Sequence, residues 1–407
     1  MEVKFLGGAE EVGKVSALIK PNSLTTLLFD YGFVPSNPPN YPREAPKVDL
    51  AFLTHGHLDH SGMIPWLASK YGIDVIASPP TKAIMELLAY DALKVARREG
   101  YDPPYTKEDI PFTIGKTREV GDGIVVDDSL IRGHNAGHIP GSTMYTIEGD
   151  SITLFTGDLN DRDTRLLRGA KPIKCNLLMI ESTYAGKEHP PRASVEKKFL
   201  AQVDETVEKK GLAIVPAFAV GRAQELLLLL HERGYQMYMD GMGVRAARII
   251  SSFGNYVRDA DKLEKAFDAV KKVTNKNDRK KALKGEVILT TSGMLDGGPA
   301  LWYLDKIKDN PNSGVFLTGY QVEGSKGRTL MEEGTIDLNG VISSLKCKVE
   351  SFDFSAHADH PGLVKFIKEC DPEKVVLFHG DAREKLYEEI KDKYEVLLPQ
   401  NGELLEI

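Results

Sequence analysis

The sequence has no long uninterrupted apolar run. Its longest leucine run, Leu226 to Leu230, falls far short of the roughly 18–20 residues that cross a bilayer, which argues against a helical membrane protein. The opening Met1-Glu2-Val3-Lys4-Phe5, followed by a glycine pair, has no charged region ahead of an apolar stretch, so no secretory leader is expected. Cysteine is scarce: Cys175, Cys347 and Cys370 are widely spaced and odd in number. That argues against a disulfide framework and fits a reducing, cytoplasmic setting. Positive charge is not in excess, with a formal net charge of −7 over 407 residues. No global field draws in polyanions, which disfavours a DNA-coating protein. An enzyme that meets phosphates through a local groove or bound cations remains open. Internal repeats and low-complexity tracts are also absent. What remains is a globular composition, 42% hydrophobic and 27% charged, long enough for two or three folded units.

The texture changes along the chain. Val3–Leu6, Val15–Ile19 and Leu24–Asp30 read as short strands separated by turn signals, and Asp49–Thr54 reads as a buried strand. Between them Tyr31–Pro46, with five prolines, reads as an irregular loop. Pro65–Tyr71 and Pro80–Arg98 are predicted helices opened by proline. Strands return at Thr143–Ile147, Ile152–Phe155 and Leu177–Ile180, so two packed sheets with flanking helices are expected. After about residue 185, strands and helices alternate (Ala193–Lys209, Ala213–Ala217, Arg222–Arg233, Gln236–Met239), the signature of a parallel α/β layer. Strands at Lys348–Phe352 and Val375–Phe378, a helix at His360–Lys368 and a charged terminal helix are predicted to close the chain.

The sharpest local signal is His55-Gly56-His57-Leu58-Asp59-His60, directly after an apolar strand. Imidazole and carboxylate are natural ligands of zinc-like ions. Four such groups in six residues are too many to bury unpaired. The bland alternative is a solvated histidine-rich loop. Further along stand Asp30 after Leu27-Leu28-Phe29, His138 in Ala136-Gly137-His138-Ile139-Pro140-Gly141-Ser142, and Asp158 in Phe155-Thr156-Gly157-Asp158. His134, four residues before His138, reads as a hydrogen-bonded structural histidine rather than a phosphate helper.

Taken in order, these segments resemble the HxHxDH pattern of the metallo-β-lactamase superfamily. The resemblance implies His55, His57 and His138 on one metal, Asp59 and His60 on a second, and Asp158 bridging. Asp30 would orient a ligand from behind. Glu181-Ser182-Thr183-Tyr184, Ser355-Ala356-His357-Ala358-Asp359 and His379 in Leu377-Phe378-His379-Gly380 look like motifs A, B and C of the β-CASP nucleases. Pro216–Arg222, Thr291–Leu295 and Thr318–Gln321 are also family-like, so the resemblance covers essentially the whole chain. A histidine at motif C matches the RNA-processing members.

The fold so implied is α/β: a metallo-β-lactamase αββα sandwich with an inserted α/β (β-CASP) domain. Residues 1–185 and 346–407 would form the first and 186–345 the second. The implied function is a two-zinc ribonuclease acting on single-stranded RNA, by endonucleolytic cutting, 5′-to-3′ trimming or both. Asp59, Glu181 and His357 would be catalytic; His357 would be the general acid, held in its tautomer by Glu181, and His379 would complete the second metal's shell. Ser182, Arg222, Ser292 and Ser355 sit where hydroxyls, backbone N–H groups or a helix N-terminus could meet phosphates; ordinary caps and turns explain them equally well. Lys271 to Lys284, with seven basic residues, reads first as a solvated face and second as an RNA-steering patch. Tyr320 reads first as a core residue and second as one that stacks on a base. A homodimer is expected by resemblance. The alternatives are a thioester or lactam metallo-hydrolase, and an inactive scaffold of an RNA-processing complex.

Overall fold

The structure is a computed structural model that describes residues 1–22, 24–338 and 340–407. The chain divides into two units: Met1–Asp163 with Arg168–Glu188 and His357–Ile407, and Thr164–Leu167 with His189–Ala356.

In the first unit, alternating apolar side chains build four layers. Leu27 and Phe29 point into one core while Leu28, between them, points into another. Met179 and Leu178 divide in the same way. Period-two alternation puts successive side chains on opposite faces, and here both faces are buried, so the strands read as continuous apolar runs. One seven-stranded sheet runs, in spatial order, Leu404–Glu406, Glu2–Gly7, Ser16–Lys20, Leu27–Phe29, Leu50–Phe52, Asp74–Ile76 and Thr117–Arg118. The other runs Glu395–Leu397, Lys374–Phe378, Leu177–Glu181, Ile152–Phe155, Thr143–Glu148, Ser129–Asn135 and Ile124–Val126. Their inner faces meet through an aromatic cluster. Phe29 stacks on Phe52 at 5.0 Å between ring centres and touches Phe155 at 5.2 Å, and Phe155 stacks on Phe378 at 5.0 Å. Helix Ile64–Tyr71 covers the outer face of the first sheet through Ile64, Leu67 and Ala68. Helix His360–Cys370 covers the second through Leu363, Val364, Phe366 and Ile367. The layering is αββα.

The second unit is built on a six-stranded parallel sheet in the order Lys271–Lys272, Met237–Asp240, Val287–Thr290, Ala213–Pro216, Gly314–Leu317 and Lys348–Ser351. Helices such as Arg192–Glu208 and Arg222–His231 connect its strands. An antiparallel hairpin, Thr335–Leu338 with Val341–Ser344, stands apart from that sheet.

Three features go beyond the sequence-based expectation. Strand Lys348–Ser351 pairs with Gly314–Leu317 inside the second unit. After the expected charged terminal helix, Arg383–Ile390, Leu404–Glu406 adds to the edge of Glu2–Gly7; a strand of three residues leaves too short a pattern to recognise. Cys175 and Cys370, remote in sequence, are buried neighbours, with the Cys175 N–H donating to the Cys370 carbonyl at 3.4 Å; both are free thiols. Among the described residues no helix is long and apolar enough to cross a membrane.

Candidate metal centre

Parallel pairing gathers the site. Leu27–Phe29 runs parallel to Leu50–Phe52, and Ile152–Phe155, Leu177–Glu181 and Lys374–Phe378 run parallel in register. The residues just beyond these strands, or ending them, are Asp30, His55, Asp158, Glu181 and His379. Parallel strands end on the same side, so residues from distant stretches converge. Asp30 and His379 both have left-handed backbone, φ +58° and +53°, uncommon outside glycine. The chain therefore turns sharply at the residue whose side chain enters the site. Gly157 is similar: its φ is +54°, and a Cβ there would lie 2.6 Å from the Cβ of Thr54.

Hydrogen bonds behind the site fix which nitrogen each imidazole presents. Asp30, fully buried, accepts from the Thr54 N–H and the Thr54 hydroxyl, both at 2.7 Å. It also accepts from His60 Nδ1 at 2.7 Å, which leaves His60 Nε2 facing inward. Since the Thr54 hydroxyl proton is engaged by Asp30, its oxygen accepts from His55 Nδ1 at 3.1 Å. His55 Nε2 is then the inward lone pair. His138 comes from a tight turn in which its N–H donates to the Ser142 hydroxyl at 3.1 Å.

The inward atoms form two adjacent sets. His57 Nδ1 lies 3.1 Å from His55 Nε2 and 3.2 Å from His138 Nε2. Asp158 Oδ2 faces that set, 3.6 Å from both His55 Nε2 and His138 Nε2. Asp158 Oδ1 faces the other, 3.2 Å from His60 Nε2 and 3.4 Å from His379 Nε2. Asp59 Oδ2 is 3.9 Å from His60 Nε2. One carboxylate thus turns an oxygen to each set.

Electrostatics follow from burial and these neighbours. Burial, then the charge of His60, pushes His55 well below the usual imidazole range, against the pull of Asp158. His57 is lowered chiefly by burial. Both are therefore neutral and offer lone pairs. For His60 burial works the other way from the outcome: the carboxylates of Asp158, Asp30 and Asp59 outweigh it and hold the ring well above its usual range. Asp158 resists burial in the same way, held well below the carboxylate range by His60, His379 and His357.

The residues present fit divalent ions. His60 Nε2 and Asp158 Oδ1 are buried, and neither has a hydrogen bond among the described residues. Buried polar atoms normally find a partner, and a cation between them would supply one. Imidazole nitrogens with carboxylate oxygens are a donor set suited to zinc-like ions. The groups His55, His57, His138, Asp158 and His60, Asp158, His379 each bring their ligand atoms within 4.8 Å of one another. His379 fits less simply. Its Nδ1 accepts from the Gly13 N–H at 3.2 Å, so in the neutral ring Nε2 carries the proton and points at Asp158. Metal binding at Nε2 requires that proton to leave.

Beside these sets, His357 Nδ1 sits 2.9 Å from Glu181 Oε1, and its Nε2 is 3.9 Å from Asp158 Oδ2. Glu181 is fully buried and braced by the N–H groups of Leu159 at 2.8 Å and Thr183 at 3.2 Å. Burial lowers the His357 pKa, but Glu181 and then Asp158 override it and raise it to about 9.

The other sequence-based candidates divide between the two units. Ser182 is fully buried. Arg222 is also buried, and its guanidinium donates to the Thr318 carbonyl. Ser292 is half-buried, as is Ser355, whose N–H donates to Asp353 at 2.9 Å. His134 is structural, with Nε2 at 3.1 Å from the Thr146 hydroxyl. Tyr320 is not a core residue: it is 51% exposed, because the loop after Gly314–Leu317 carries it outward. Of the basic run, Arg279 pairs with Asp240 at 2.7 Å. Sequence reading missed Thr54, Gly13 and the bracing amides of Leu159 and Thr183. Only Thr54, directly before the histidine cluster, carries a hint in the sequence; the others act through backbone N–H groups, which no residue type announces.

Known proteins place this geometry. The metallo-beta-lactamase superfamily model matches residues 12–216, the Beta-Casp domain 223–330, and the Zn-dependent metallo-hydrolase RNA specificity domain 343–399. Probable RNase MJ4 of Methanocaldococcus jannaschii is 36% identical over 400 residues, covering 94% of this chain and 93% of that protein. RNase aCSPSF2 of Saccharolobus solfataricus is 37% identical over 420 residues, covering 98% and 84%. Transcription termination factor FttA of M. jannaschii is 35% identical over 431 residues, covering 94% and 67%. A crystal structure of a protein of unknown function from Enterococcus faecalis V583 shares the fold alone, with a TM-score of 0.63, 16% identity and 99% of each chain covered. The chain belongs to the metallo-β-lactamase superfamily, in its β-CASP branch.

Proposed function

We propose that this protein is a ribonuclease that hydrolyses phosphodiester bonds of single-stranded RNA with two divalent ions, zinc in the first place. The observation that carries the reading is Asp158, whose two oxygens face separate ligand sets. On this reading His55, His57 and His138 hold one ion, Asp59, His60 and His379 the other, and Asp158 both. When bound, such ions acidify water and neutralise charge building on a phosphoryl oxygen. The protein's own residues orient and move protons. Asp30 and Thr54 keep the Nε2 atoms of His60 and His55 turned inward. Glu181 holds His357 by Nδ1, leaving the Nε2 proton directed into the site for the departing sugar oxygen. The relatives named RNase support RNA as the substrate. Every ligand position is filled, which speaks against an inactive scaffold.

In domain terms we assign residues 1–188 and 357–407, apart from the short 164–167 excursion, to the metallo-β-lactamase domain. The stretch 189–356 is then the β-CASP domain. A homodimer remains part of the proposal on family resemblance alone.

The test is a time course on 5′-labelled single-stranded RNA with zinc-loaded protein. Cleavage that a chelator stops and zinc restores is expected; early mononucleotides mean trimming from the end, discrete fragments mean internal cuts. Protein holding stoichiometric zinc that leaves the RNA intact would overturn the proposal.

A further inference from the structure

Arg162 stands on the segment that follows Asp158. Its Nη2 donates to both oxygens of Asp359, at 2.8 and 2.7 Å. Asp359 is fully buried and also caps helix His360–Cys370, accepting from the Gly362 N–H at 2.9 Å. A backbone bond from the Ala358 N–H to the Leu159 carbonyl, 2.8 Å, runs beside this pair. Two links therefore tie the segment carrying Asp158 to the segment carrying His357. A third, from the Leu159 N–H to Glu181 Oε1, reaches the carboxylate that holds the His357 ring. The packing is close: a Cβ on Gly362 would lie 3.0 Å from Asp359 Oδ1 and 2.9 Å from Asp161 Oδ1.

We propose that Arg162 is a positioning residue: by clamping Asp359 it sets where His357 Nε2 stands relative to Asp158. This rests on the ribonuclease reading for its effect on rate, not for the clamp itself. A proton donor works only within hydrogen-bond reach of the atom it serves, and a displacement of about 1 Å costs on the order of a hundredfold. The Arg162 side chain is 46% exposed, so its removal opens no core cavity. Asp359 can still cap its helix without the guanidinium, but its buried carboxylate loses a counter-charge, so circular dichroism checks folding and Arg162→Lys, which keeps that charge, carries the test if Arg162→Ala folds poorly.

The experiment uses zinc-loaded full-length protein with Arg162→Ala, Arg162→Lys, Asp359→Asn and the Arg162→Ala/Asp359→Asn double variant. For Arg162→Ala we expect kcat to fall about 10- to 100-fold while KM and ion content stay near parental values. Lysine, which keeps a cation for Asp359, should recover part of the loss, and the double variant should be no slower than the slower single one. Hydrogen-exchange mass spectrometry should show faster exchange across residues 355–363 in Arg162→Ala and no change across 55–60. A parental kcat, a loss confined to KM, or multiplicative effects in the double variant would overturn the proposal. If parental protein proves inert on RNA, the ribonuclease reading fails and exchange decides the clamp alone: faster exchange at 355–363 upholds it, unchanged exchange overturns it.

Discussion

At the scale of single residues, Asp158 and His357 separate two jobs that share one pocket. On the proposed reading Asp158 would answer for ion holding, because its two oxygens face ligand sets on either side. Asp158→Ala should lose one or both ions, read by metal analysis after dialysis; retention of both would refute the bridging role. His357, anchored through Nδ1 to Glu181, would on the same reading answer for proton delivery. His357→Ala should cut the RNA cleavage rate by about 10²–10⁴-fold, with ion content and circular dichroism unchanged. Cutting at the parental rate would remove the proton-donor assignment.

At the scale of elements, the strand ends make the site, and they do so at a conformational cost. Asp30 and His379 adopt left-handed backbone where their strands stop, and Gly157 does the same without a side chain to strain. Gly157 also has no room for one, since Thr54 fills the place a Cβ would take. Gly157→Ala should therefore destabilise the protein by about 1–3 kcal/mol through the clash and the strained φ. Chemical denaturation would measure this. Because Thr54 bonds Asp30 and His55, the same variant should also weaken ion binding, which titration with zinc would show.

At the scale of the whole molecule, stability and ion binding are linked. His55, His60 and Asp158 are buried beside a core of apolar and aromatic side chains. Ions that bind only the folded chain stabilise it, by about 4 kcal/mol at a thousandfold excess over Kd. A chelator should accordingly lower the thermal midpoint by several degrees, and zinc should restore it; a midpoint indifferent to both would argue against a built ion site.

Much of this was written locally. The apolar runs ending at Asp30, Thr54, Phe155 and Phe378 define buried strands because both faces must be covered. The order of histidines and carboxylates carries the resemblance to the family, and so many ligand-type side chains together call for metal chemistry. Folding in three dimensions decided the rest. Which nitrogen of His55 or His60 faces inward depends on Asp30 and Thr54 meeting across two strands. That Asp158 divides its oxygens, and that Arg162 finds Asp359 across 197 positions, depends on the register of a parallel sheet. Hydrogen bonds are directional and short, so partners remote along the chain are chosen by packing, not by pattern.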